Sequence, residues 1–273
     1  GRRLEVRAHR LNFVIGNENI RDLITVIGGV NHAPALKQKT HRTRAYPLPA
    51  TRSSAGCGPN LIAPIRAPVS FGRKPVNIPK LPDILEAAER INGQIHRTPV
   101  LTCAGLDEES GAQIYLKCEN FQKTGSFKFR GASNAVKCLK TDEAARGVST
   151  HSSGNHGAAL ACAAAIRGIP AHIVVPENAA QPKQESILRY GGQITHCAPT
   201  LEARETTLAE VVQKTGAVVI PPYNDFNIIS GQGTAAFELL EEIENLDALI
   251  APVGGGGLLS GSAICAKALR PEI

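Results

Sequence analysis

The sequence predicts a two-domain α/β fold built on parallel sheets. Three observations point to it. From Leu81 onward, short β-like runs alternate with helix-like runs. Three of the strand-to-helix junctions are rich in glycine and small polar residues. The composition of the 273 residues, 42% hydrophobic and 20% charged, suits a globular core and excludes a collagenous, disulfide-stapled or wholly disordered chain.

The first 80 residues stand apart from this pattern. They hold 14 Lys and Arg against three acids (Glu5, Glu18, Asp22), whereas residues 81–273 hold 16 against 21. The net charge of +6 therefore belongs to the leader and not to the core. Its arginines are scattered, aromatic residues are few, and no zinc or basic-helix pattern accompanies them, so no nucleic-acid partner is expected. Between Ala45 and Pro79 neither a 3.6 nor a 2 period is sustained, and residues 1–80 are expected to form an unstructured basic extension. An Arg-rich, acid-poor leader also leaves an organellar address open. No run reaches the roughly 18–20 uncharged apolar residues of a membrane span. Ala158 to Val175 comes nearest and is interrupted by Arg167 and by Gly168 to Pro170, so no membrane association is expected. The seven cysteines are widely spaced without a C-x-x-C pair, which argues for a reducing compartment and against a zinc ribbon.

In the core, Leu81 to Asn92 carries helical spacing (Ile84, Leu85, Ala88, Ile91), with Pro82 near its start and Gly93 past its end. Strands are predicted at Gln113 to Cys118, Gly147 to His151, His172 to Val175, Gln193 to Cys197, Ala217 to Ile220 and Ala248 to Val253. Helices are predicted at Lys128 to Lys140, His156 to Arg167, Gln181 to Tyr190, Glu202 to Thr215, Gln232 to Glu244 and Leu258 to Leu269. In such folds ligands bind at the carboxyl ends of the strands, and the three junctions stand there.

At the first junction, Asn120 to Gly131, Lys128 opens a helix, where the dipole disfavours an ammonium; shielded from water, its neutral amine becomes a nucleophile or base. A solvated lysine at a helix start is the bland alternative. At the second, His151-Ser152-Ser153-Gly154-Asn155-His156-Gly157, two hydroxyls, an amide and exposed backbone N–H groups make a nest for a carboxylate, or a plain N-cap. His151 and His156 have no third partner at metal-ligating spacing, so no metal is expected there. At the third, Gly254 to Gly257 run into Leu258-Leu259-Ser260-Gly261. Four glycines let successive N–H groups approach an anion at a helix N-terminus, without the Lys-Ser/Thr of a P-loop.

A lysine, a carboxylate nest and a phosphate cradle together describe a site for pyridoxal phosphate and an amino acid. The motifs KTGSFKFRG, HSSGNHG and VGGGGLLSG, in that order, resemble those of the fold-type II pyridoxal-phosphate enzymes, especially the serine racemase and serine/threonine dehydratase branch. The resemblance runs from about Leu81 to the end, through GIPAHIVVP and SGQGT. It implies a tryptophan-synthase-β-like, three-layer fold. Its large domain would comprise residues 81–140 and 228–273, and its small domain residues 141–227, so that substrate on the small-domain loop could draw the cleft shut. It implies that Lys128 forms the Schiff base and removes the Cα proton on one face. Asn155 would meet the cofactor's ring hydroxyl, and Gly254, Gly255, Gly256 and Gly257 with the N–H of Leu258 would hold its phosphate. Ser152, Ser153, Asn155 and His156 would hold the substrate. Ser153 matches the second proton carrier that racemisation requires on the opposite face, where many threonine dehydratases have Ala.

The reaction so implied is racemisation of serine, dehydration of L-serine or L-threonine to a 2-oxo acid and ammonia, or both. The substrates would be L-serine, D-serine and L-threonine, and the assembly a cytoplasmic homodimer. Lys123, Thr124 and Tyr190 match the family's regulatory nucleotide site, but Cys103, Ala104 and Ala158 depart from it, which counts against ATP activation. The family also continues past the position of Ile273 with the acidic ligands of a divalent cation (Mg or Ca) and a partner for the pyridine nitrogen. The chain, which also lacks an initiator Met, is therefore expected to be incomplete at its C-terminus and impaired. The alternative to an enzyme is a truncated isoform acting as a dimerisation or regulatory partner.

Overall fold

The structure is a computed structural model that describes residues 12–13 and 77–273. The rest of the basic leader, Cys57 included, lies outside the described residues.

Strand β1 is the short pair Asn12–Phe13. Helix α1 (Leu81–Ile91) buries Ile84, Ala87 and Ile91 on one face, and the Asp83 carboxylate accepts the Lys80 N–H at 2.7 Å to close its first turn. Strand β2 (Val100–Leu101) and helix α2 (Ala104–Ser110) follow, then β3 (Leu116–Lys117) and a 3-10 turn at Glu119–Phe121. Helix α3 (Lys128–Cys138) and the short α4 (Thr141–Arg146) lead into an alternating run. It comprises β4 (Val148–His151), α5 (Asn155–Arg167), β5 (Ala171–Pro176), α6 (Gln181–Arg189), β6 (Gln193–Cys197), α7 (Leu201–Thr215) and β7 (Val218–Val219). Helix α8 (Phe226–Glu242), β8 (Leu249–Ile250) and α9 (Gly257–Leu269) complete the chain.

Two four-stranded sheets result. One runs β6-β5-β4-β7, parallel throughout, with Val148 opposite Ala171 and His151 opposite Val174. Its strand β5 is buried almost end to end because helices cover both faces. Ile173 and Val175 join α5 and Ile187 of α6 in one cluster, while Val174 meets Leu208 and Val211 of α7 in another. The other sheet runs β2-β3-β1-β8. Here β2 is antiparallel to β3, a departure from the all-parallel expectation.

Further differences have local causes. Helix α8 starts six residues before the predicted Gln232, because Asp225 caps it through Ile228 N at 3.0 Å. Ser230 and Gly231, ahead of the predicted start, lie inside the helix, where Gly231 admits a close neighbour: a Cβ there would stand 2.6 Å from the Gly131 Cα of α3. Helix α2 buries none of its residues, so no apolar period announces it.

A buried ion cluster joins these elements. Arg130 of α3 donates to both oxygens of Glu119 (2.8 and 2.7 Å) and to both oxygens of Glu238 in α8 (2.7 and 2.8 Å). Lys117 pairs with Glu238 at 2.7 Å and also donates to the Thr98 carbonyl, while the Thr98 hydroxyl donates to Glu119 at 2.6 Å. Lys117, Glu119 and Arg130 are fully buried and Glu238 nearly so. Burial alone would raise the Glu238 pKa, but hydrogen bonds and charge from Arg130, then Lys117, outweigh it and hold it below the ordinary carboxylate value. Two cations and two anions leave the cluster neutral. Arg130→Met would strand an excess carboxylate in the core and is expected to lower the unfolding free energy by about 3–5 kcal/mol in urea titrations. Arg130→Met with Glu119→Gln restores the balance and should lose less than the single substitution.

Candidate active site

The first residues of four helices meet around a cavity of about 320 Å³. Lys128 begins α3, Asn155 and His156 begin α5, Lys183 stands in the first turn of α6, and Gly257 and Leu258 begin α9. Each start presents N–H groups without intrahelical partners and the positive end of a dipole, so the cavity favours anions. Its lining carries two lysines and no carboxylate.

The predicted residues converge there in large part. Lys128, Ser152, Asn155, His156, Gly254 to Gly257 and Leu258 all line the cavity. Lys128 Nζ donates to the Pro222 carbonyl at 2.6 Å and stands 5.3 Å from the centre of the Phe127 ring. The glycine loop turns at Gly256, whose φ of +85° is left-handed, before entering α9. The ring of Tyr223 lies directly on Gly255, where a Cβ would come within 2.0 Å of it. These backbone positions exclude side chains and leave the N–H groups at the helix start accessible to an anion.

Ser153 is the exception in the second loop: its neighbours Ser152 and Gly154 line the cavity and it does not. Lys123, Thr124 and Tyr190 also lie outside the lining. Lys123 Nζ sits 6.0 Å from the centre of the Phe129 ring, Tyr190 packs on the first core cluster, and Thr124 holds a left-handed φ of 67°. Phe127, Lys183, Pro222, Pro252 and Val253 also line the cavity and were not anticipated as site residues. Pro222 belongs to the Pro-Pro-Tyr-Asn-Asp segment between β7 and α8, and no local signal distinguishes Lys183.

His156 is buried, and its Nε2–H donates to the Ile220 carbonyl at 3.0 Å. Burial pushes its pKa from an ordinary 6.5 down to about 4; the Ile220 bond opposes the shift, and the charges of Lys128 and His151 add to it. The ring is therefore neutral at pH 7, with Nδ1 unprotonated. Among the described residues no three His, Cys, Asp or Glu side chains gather as metal ligands, and no helix is long and apolar enough to cross a membrane.

Comparison with known proteins places the chain in a family. The family model described as pyridoxal-phosphate dependent enzyme matches residues 91–273. The chain belongs to this family. It is 54% identical over 190 residues to a serine racemase of Arabidopsis thaliana, covering 70% of this chain and 57% of that one. It is 51% identical over 195 residues to a beta-hydroxyaspartate dehydratase of Paracoccus denitrificans, covering 71% and 62%. The solved maize serine racemase superposes with a TM-score of 0.70 at 48% identity, covering 71% of this chain and 59% of that one. The α/β fold is thus that of the fold-type II pyridoxal-phosphate enzymes, and membership implies pyridoxal phosphate as cofactor. The chain spans 57–62% of the length of these two curated relatives.

The cavity fits that group. The glycine loop at the start of α9 suits a phosphate, Lys128 faces the same space, and no lining carboxylate repels an anion.

The His156 shift makes stability depend on pH with a definite sign. Below 6.5 the unfolded chain binds a proton that the folded chain refuses until about 4. Stability present above pH 6.5 is therefore lost as pH falls through that window, by about 3 kcal/mol in total. His156→Gln should flatten this part of the profile in urea titrations between pH 7 and 4.5. The further loss at lower pH, where Glu238 protonates, should remain.

Proposed function

We propose that the chain carries the site of a pyridoxal-phosphate enzyme acting on small 3-hydroxy amino acids, racemising serine, dehydrating L-serine or L-threonine, or both. The observation that carries this reading is the convergence of Lys128, the Ser152 to His156 loop and the tetraglycine on one carboxylate-free cavity. The names of the two curated relatives, a serine racemase and a hydroxyaspartate dehydratase, support the substrate class.

Pyridoxal phosphate, when bound, supplies an electron sink that makes the substrate Cα–H acidic. Lys128 would hold it, and its amine would take and return the substrate Cα proton on one face. Its place as first residue of α3 and its bond to the Pro222 carbonyl fix the approach of the amine. Gly254 to Gly257 and the Leu258 N–H would hold its phosphate, and Asn155 would be the partner for its ring hydroxyl. Ser152, Asn155 and the start of α5 hold the substrate carboxylate, with neutral His156 shaping the loop through Ile220. Ser153 carries the proton on the opposite face. Its neighbours Ser152 and Gly154 line the cavity, and an inward turn of the loop on substrate binding would bring its hydroxyl to Cα. That movement fits a small domain of residues 141–227 closing on a larger one of residues 81–140 and 228–273. A homodimer, activation by a divalent cation and a nucleotide site at Lys123, Thr124 and Tyr190 stay secondary to this reading. For the nucleotide, Cys103, Ala104 and Ala158 argue against ATP.

Titrating the purified chain with pyridoxal phosphate should produce the visible band of a lysine-bound cofactor. Borohydride should then fix the cofactor to the peptide containing Lys128. Lys128→Ala should stay colourless, and a colourless parent would defeat the reading. Ser153→Ala should lose D-serine formation by about a hundredfold or more while keeping 2-oxo acid release, since a positioned proton carrier contributes about 10²–10⁴; unchanged racemisation would remove Ser153 from the role.

A further inference from the structure

Lys183 is the one lining cation to which the proposed chemistry gives no role. Its position follows from α6. Ile187 lies one turn further along the same face of that helix and is fully buried. A Cβ on Gly157 would stand 3.1 Å from Ile187 Cδ1, so this face of α6 is turned to the start of α5. One turn back toward the N-terminus, Lys183 stands beside the Ser152 to His156 loop. It is thus placed on the substrate side of the cavity. The nearest acid along its own helix, Glu185, accepts a hydrogen bond from Gln181 Nε2 at 2.7 Å. No side-chain hydrogen bond or ion pair of Lys183 occurs among the described residues.

With the phosphate on the glycine loop and the α-carboxylate at the start of α5, the cavity still holds one ammonium with no acid beside it. We propose that Lys183 receives a second carboxylate, on the substrate's side chain, and so extends the reach of the site from serine and threonine to acidic 3-hydroxy amino acids. This assignment rests on the reading above of the cavity as an amino-acid site. Lysine suits such a contact because its long stem lets a point charge follow a side chain that varies in length. Lys183 is exposed, so the pairing tunes selectivity at the rim and leaves the chemistry to the residues beneath.

Lys183→Gln removes the charge at an exposed position and should fold as the parent does. In the cofactor-free chain, calorimetry should show succinate binding about tenfold more tightly than butyrate, with the preference lost in Lys183→Gln and largely kept in Lys183→Arg. In the cofactor-loaded chain, the ratio of kcat/KM for L-threo-3-hydroxyaspartate to that for L-serine should fall about tenfold in Lys183→Gln. No preference in the parent, a preference that survives Lys183→Gln, or equal losses for succinate and butyrate would each overturn the assignment. The last result would give Lys183 to the α-carboxylate instead. The succinate measurement needs no cofactor, so its failure is distinct from a chain that never develops the visible band.

Discussion

The Arg130 fork is the interaction on which the placement of the cavity depends. Helix α3 has no side-chain cap at its start, and Lys128 reaches the cavity only if that first turn is held. Arg130, two residues further on, holds it to the turn at Glu119 on one side and to α8 through Glu238 on the other. The desolvation cost of four buried charges makes such a cluster a poor source of net stability, and well-packed apolar residues could match it. Directional specificity is what it adds. Two carboxylates gripped in bidentate fashion fix both the rotation and the height of α3, which apolar packing against Gly131 and Gly231 would leave free to slide.

With α3 fixed, the electrostatics of the cavity follow from helix geometry. Every helix that begins at its wall contributes partial positive charge there, and the two lysines add full charges. A carboxylate in the lining would cancel this field. A charged histidine would crowd the neighbouring ammonium, and burial keeps His156 neutral. The field is thus assembled in large part from backbone, which cannot be titrated and needs no reorganisation when an anion arrives.

That origin explains what could be read in the sequence. Backbone groups that must approach a ligand call for glycine, serine and asparagine at strand ends, so the loops at Ser152 to His156 and Gly254 to Gly257 were legible before any fold was known. The parallel sheet β4 to β7 was legible for a different reason: β5 is a nearly continuous apolar run, and short strand-like segments alternate with helix-like ones on either side of it. The Arg130 cluster was not legible, because its partners lie 11 and 108 residues away and each charge viewed alone looks solvated. The start of α8 was missed because glycine that serves helix contact cannot be told locally from glycine that serves a turn. Lys183 was missed because its meaning lies in α6 packing against α5. Ser153 shows the converse: a motif can name the loop without fixing which of its residues line the cavity.

One short segment ties the three loops together. The chain from Ile220 to Tyr223, between β7 and α8, accepts His156 Nε2–H at Ile220 and the Lys128 amine at Pro222, and it lays the Tyr223 ring on Gly255. Two consecutive prolines suit this place. They have no N–H to satisfy inside a polar cavity, and their fixed φ stiffens the segment, so its carbonyls point where the loops need acceptors. The carboxylate nest, the lysine and the glycine cradle therefore share one rigid reference. The sheet that carries β4 and β7 cannot move relative to the glycine loop without carrying this segment along or breaking one of its contacts. Of these, the Tyr223 contact is an apolar stack on bare backbone, the easiest to exchange for a ligand ring, whereas the carbonyl at Ile220 holds a buried donor that has no alternative partner among the described residues. Motion at the cavity should thus begin at Tyr223 and spare Ile220.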